Sequence, residues 1–141
     1  MSQPAPSVEG AFRALRTIHF VLMASLFLYI WAGEKVLPHN QQTPDRLFAT
    51  LTGLVAATMF VAAIVVRAKM VQPALELLQT EPDNKQSIGR WRSGSIISYV
   101  LAETVALFGF SLRSLGGTLA MSAPFYIAAI LLMLFLRPRR P

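Results

Sequence analysis

The chain has no cysteine, which excludes disulfides and thiolate metal sites. Charge is scarce: Asp, Glu, Lys and Arg make up 14% of the 141 residues, against about 25% in soluble domains. Of the two histidines, only His19 falls in an apolar stretch, so a haem held between two histidines or a histidine metal site has no support. The motifs of soluble enzymes are missing as well. There is no glycine-rich phosphate loop, no HExxH and no Ser/His/Asp grouping. Neither the paired aspartates nor the Ser-His pair of intramembrane proteolysis occurs in the apolar stretches. The expectation is a protein that is not an enzyme and holds no cofactor and no metal.

What the chain has is apolar length. Hydrophobic residues make up 54% of it, and the mean hydropathy is +0.50. Four runs predict transmembrane helices over about 14–32, 47–66, 95–112 and 118–136. Each is long enough for a hydrocarbon core of about 30 Å at about 1.5 Å per residue. The fold class expected is therefore all-α, a single membrane domain over 1–141 built as a bundle of four transmembrane helices. HFVLMASLFLY from His19 lines up with SYVLAETVALF from Ser98, and MFVAAIVV from Met59 with FYIAAILL from Phe125. That pattern fits either two parallel-repeat hairpins or the general likeness of apolar helices.

The net charge of +6 is distributed between the runs. Arg13, Arg16, Arg67, Lys69, Lys85, Arg90, Arg92, Arg137, Arg139 and Arg140 fall on one side of a four-span topology. Only Lys35, Arg46 and Arg113 fall on the other. The positive-inside rule then puts both termini and the polar segment 67–92 in the cytoplasm, as in a multi-pass inner-membrane protein. Within 67–92, RAKMVQPALELLQ has helical periodicity, with a bend expected near Pro73. Glu76, Glu81 and Asp83 are interspersed there, which fits a solvated face rather than a nucleic-acid patch. Thr43-Pro44-Asp45 reads as a helix start. Trp31, with Tyr29 beside it, and Trp91 are expected at the membrane interfaces, and Arg113 as an interfacial anchor or an ion-pair partner.

Small residues recur one turn apart in two runs. Ala49, Gly53 and Ala57 do so in the second, and Ala102, Ala106 and Gly109 in the third. Such rows let helices approach closely. The second row flanks Glu103, a carboxyl in the middle of an apolar run and roughly 12 Å from the cytoplasmic end by helix rise. Intramembrane acids mark ion and proton pathways, or else a hydrogen bond between helices. Thr104 either adds a hydroxyl to an ion site at Glu103 or bonds back to the carbonyl one turn earlier. His19 either pairs with an acid or reaches the headgroups.

The run Ala102-Glu103-Thr104-Val105-Ala106-Leu107-Phe108-Gly109-Phe110 resembles the carboxylate helix of the rotary ATP synthase proteolipids, subunit c. The resemblance implies an ion-carrying carboxyl at Glu103 and the motif glycine at Gly109, on a helix leaving a cytoplasmic loop. The second run lacks the family's repeated Gly-x-Gly, and 67–92 has no Arg-Gln-Pro or Arg-Asn-Pro. Three functions follow as expectations. One is a proteolipid-like protein binding H⁺ or a cation at Glu103. Another is a non-enzymatic accessory subunit of a larger membrane complex, and the third is a small transporter. The partners expected are the lipid bilayer and either further copies of the chain or other membrane subunits, without nucleic acid.

Overall fold

The computed structural model describes residues 7–36 and 44–141. The chain is all-helical there: α1 Val8–Lys35, α2 Arg46–Val66, a π-helical turn Arg67–Val71, α3 Gln72–Thr80, α4 Lys85–Ser114 and α5 Leu119–Phe135. Three stretches are long and apolar enough to cross a membrane: α1, the continuous rod Arg46–Thr80, and α4. The fourth apolar helix, α5, has 17 residues. An all-α membrane bundle is the architecture.

Local chemistry sets the ends. The Ser7 side chain accepts the Gly10 N–H at 3.2 Å and starts α1 at Val8. The Asn84 side chain accepts the Ser87 N–H at 3.1 Å and starts α4 at Lys85. Such caps satisfy N–H groups that the first helical turn leaves unpaired. The only break between α3 and α4 is therefore 81–84, and Arg90-Trp91-Arg92 is already helical. At α2 the N-cap position is Asp45, without a side-chain cap bond. The start expected at Thr43-Pro44-Asp45 is corrected to Arg46, with Thr43 and His39 outside the described residues.

Pro73 explains the π turn. Proline lacks an N–H, and its ring clashes with the carbonyl four residues earlier. Widening the preceding turn relieves that clash, and the Gln72 N–H reaches back to the Arg67 carbonyl. The rod thus passes Pro73 with one wide turn. Between α4 and α5 the chain reverses through Gly116, whose φ is 91°. Gly116 N–H bonds the Arg113 carbonyl at 3.2 Å and Gly117 N–H the Leu112 carbonyl at 2.9 Å, a Schellman arrangement.

α4 is the hub. It packs on α1, α2, the π turn, α3 and α5, whereas α1 and α2 do not touch. Its buried residues recur on nearly every turn from Ser87 to Leu112. Trp91, expected at the interface, is 1% exposed and belongs to the core. The early start of α4 puts it more than one turn inside the helix, on the face turned to the bundle. Trp31 is 57% exposed on α1. Arg140 lies 3.9 Å from Glu9 and over the Phe12 ring at 4.9 Å, so the two described ends meet at one end of the bundle.

Candidate functional site

Glu103 projects from α4 toward α1 and is half-buried. The Ser25 hydroxyl donates to its Oε1 at 2.6 Å, and the Tyr29 hydroxyl donates to the same oxygen at 2.9 Å. Ser25 and Tyr29 are one turn apart on α1, so a single helix face presents both. Phe110, two turns beyond Glu103, holds the Tyr29 ring with centroids 5.9 Å apart. Ser25 Oγ has a second acceptor, the Leu22 carbonyl at 2.8 Å. Glu103 forms no salt bridge among the described residues.

Roughly 15 Å further along α4 by helix rise, Arg113 ties the same two helices together. Its Nε donates to Glu34 Oε1 at 2.6 Å and its Nη2 to Oε2 at 3.0 Å. Its Nη1 donates to the Gly117 carbonyl at 2.7 Å. This fork fixes the ends of α1 and α4 and the turn into α5. Gly33 permits it. A Cβ there would sit 3.3 Å from the Tyr126 hydroxyl and 3.4 Å from Arg113 Cγ.

The sequence-derived residues are placed as follows. Thr104 turns its hydroxyl back to the Val100 carbonyl at 2.8 Å and makes no bond to Glu103. Ala102 and Ala106 are fully buried. Gly109 lies under α5, where a Cβ would sit 2.8 Å from Phe125 Cβ and 3.2 Å from the Ser122 carbonyl. On α2 the inward residues are Thr52, Ala56 and Ala63. Ala49 and Gly53 are half-buried and Ala57 exposed, and a Cβ at Gly53 would meet nothing within 4 Å. Among the described residues, no helix of the same chain therefore uses the Ala49-Gly53-Ala57 row for close approach. Its neighbour row, one residue further round, does so. Ser98 spans from α4 to that row, with Oγ 3.4 Å from the Ala63 carbonyl. Arg113 is an ion-pair partner, its side chain 10% exposed.

Sequence reasoning found Glu103 and missed Ser25. It took Tyr29 as a belt residue. The available signal was a serine and a tyrosine one turn apart in a span otherwise poor in hydrogen-bonding groups. His19 packs edge-on to the Tyr99 ring with centroids 5.3 Å apart and is buried. No group of three His, Cys, Asp or Glu that could hold a metal occurs among the described residues.

The chain matches no family model, no curated protein and no solved structure.

Proposed function

We propose that the protein binds a proton at Glu103 within the membrane, as a proteolipid-like component of a membrane assembly. The observation that supports this reading is the proton count at Oε1. Ser25 has one hydroxyl proton and two oxygens in reach, the Leu22 carbonyl and Glu103 Oε1. With Glu103 ionised, Ser25 and Tyr29 both donate to the carboxylate. With Glu103 protonated, its O–H donates to Ser25 Oγ, Ser25 turns to Leu22, and Tyr29 still donates. Both states keep every hydroxyl bonded, and they differ by one rotation about the Ser25 C–O bond. An unmade hydrogen bond in such a place costs about 1–3 kcal/mol, so a site that satisfies both states suits reversible protonation. A metal cation is less well served. One carboxylate and two hydroxyls fall short of the roughly six to eight oxygens that Ca²⁺ takes. The resemblance of Ala102–Phe110 to the proteolipid carboxylate helix points the same way.

The orientation proposed has both described ends and the α3 segment in the cytoplasm, on the bias of Lys and Arg. Cysteine-accessibility labelling in sealed vesicles tests it, since the native chain has no thiol. Labelling of the α3 segment and of either end from opposite sides would overturn it.

A second reading rests on a specific observation: both hydroxyls on Glu103 come from the same chain. A carboxyl satisfied internally suits a structural bond in a non-enzymatic accessory subunit. A hydrophobic carbodiimide separates the two readings, because it reacts with protonated carboxyls in dry sites. Proton binding predicts modification of Glu103 that disappears in Glu103→Gln, with the fold retained. Resistance of the wild type to the reagent would remove proton binding and leave the accessory subunit.

A further inference from the structure

Arg67 directly follows the apolar residues of α2, so it sits where the hydrocarbon ends. It is nevertheless 7% exposed. Its Nε is buried without a hydrogen-bond partner, and it forms no salt bridge among the described residues. A buried guanidinium N–H left without an acceptor is costly. What surrounds it adds donors rather than acid. The Tyr99 hydroxyl is buried, and Tyr99 and Arg139 both lie within electrostatic reach of Arg67. The guanidinium face rests on the Phe135 ring, 5.1 Å from its centroid. Behind it the chain is fixed. Arg67 opens the π turn, and α4 closes onto that turn at Gly94, where a Cβ would sit 2.9 Å from Met70 Cβ. A rigid, unpaired cation beside a second cation lacks an oxyanion with several acceptor oxygens.

The surface next to it identifies the carrier of that oxyanion. An apolar groove of about 290 Å³ runs between α2 and α5, lined by Phe60, Ile64, Leu131, Leu132 and Phe135. Phe135 is the ring under Arg67. At its other end Phe60 also lines a second groove of about 380 Å³, which continues past Gly53 and Ala57. From Ile64 to Gly53 the two grooves extend about 16 Å by helix rise, comparable to the roughly 15 Å of one leaflet, and Ile64 lies one turn before Arg67. Free phosphate has no use for such a groove, whereas an acyl chain matches its length and apolar lining.

We propose that Arg67, with Arg139, binds the phosphate of an anionic phospholipid whose acyl chain lies in the α2–α5 groove. The proposal is independent of the proton site, which lies between α1 and α4. The small residues Gly53 and Ala57 then leave room for a lipid chain.

The test uses the full chain purified in mild detergent, with phosphatidylglycerol, phosphatidylcholine or inorganic phosphate added, and retention read by native mass spectrometry. The wild type should retain phosphatidylglycerol over phosphatidylcholine. Arg67→Gln should lower retention about tenfold, the loss of one or two charge-assisted bonds. Arg139→Gln should lower it severalfold. Arg139 is exposed, so this variant keeps the fold and carries the test if Arg67→Gln does not fold. Ile64→Trp, which fills the groove, should weaken retention with both arginines present. Arg92→Gln, an exposed arginine elsewhere on α4, should change nothing. Wild-type retention in Arg139→Gln and in any folded Arg67 variant would overturn the proposal. Displacement of phosphatidylglycerol by inorganic phosphate, or retention indifferent to Ile64→Trp, would also overturn it, because the site would then take a free anion.

Discussion

Helices α2 and α4 both carry rows of small residues one turn apart, and they use them differently. On α4 the row Ala102-Ala106-Gly109 is buried, and α5 approaches until only hydrogen fits at Gly109. On α2 the row Ala49-Gly53-Ala57 borders a groove, while Thr52, Ala56 and Ala63 turn to α4. In a bilayer both faces of a helix meet surroundings of similar polarity, so hydropathy does not say which one packs. The rows are distinguished by what the neighbour offers. Ser98 on α4 lies against Ala63, and the turn at Gly116 brings α5 back along α4. Nothing comparable brings a helix over Gly53.

The sharpest way to break this comparison is Gly109→Leu. The new side chain would have to pass between Phe125 Cβ and the Ser122 carbonyl, both already within 3.2 Å of its first carbon. Overpacking on that scale against backbone costs about 3 kcal/mol or more. Thermal unfolding in detergent should show a large loss, or the protein should fail to accumulate. Stability equal to wild type would mean that α5 does not approach α4 as closely as described.

The next largest effect is expected from Arg113→Ala. It removes the fork that joins α1, α4 and the turn before α5. The pair is neither fully buried nor exposed, so a loss of about 1–3 kcal/mol lies between the two limits. A double-mutant cycle with Glu34→Ala isolates the pair. Additive losses would show that the two side chains stabilise separately and that the fork does not hold the helices.

The sequence made the helices legible because hydrophobic length is a local property. It also pointed to Glu103, since a carboxyl in an apolar run stands out by composition alone. The partners of Glu103 were not legible. Ser25 and Tyr29 lie 78 and 74 residues away in the chain, and only the packing of α1 on α4 selects them from the hydroxyls available. The direction Trp91 faces was not legible for a related reason. Depth along the membrane normal can be counted from sequence, whereas the direction a side chain faces depends on which helix lies opposite. Arg67 shows the same limit. As a basic residue after an apolar run it reads as a solvated interfacial charge, and its burial follows from the π turn at Pro73 and the arrival of Phe135 from α5.

The smallest effect expected is the one that decides what the α2 row is for. Gly53→Leu adds a side chain where a Cβ meets nothing within 4 Å. Within one chain it should change stability by no more than about 0.5 kcal/mol, as is usual for substitutions away from packed features. Replacing a mid-helix glycine even removes a backbone entropy cost. Two further measurements give this near-silence its meaning. If the row borders a lipid chain, Gly53→Leu narrows the groove, so the protein keeps its mass in detergent but retains less phosphatidylglycerol. If the row is a contact between chains, the leucine blocks close approach and the assembly mass falls while lipid retention holds. If instead the isolated chain is destabilised as strongly as by Gly109→Leu, the two rows are equivalent. The contrast between α2 and α4 would then have to be abandoned.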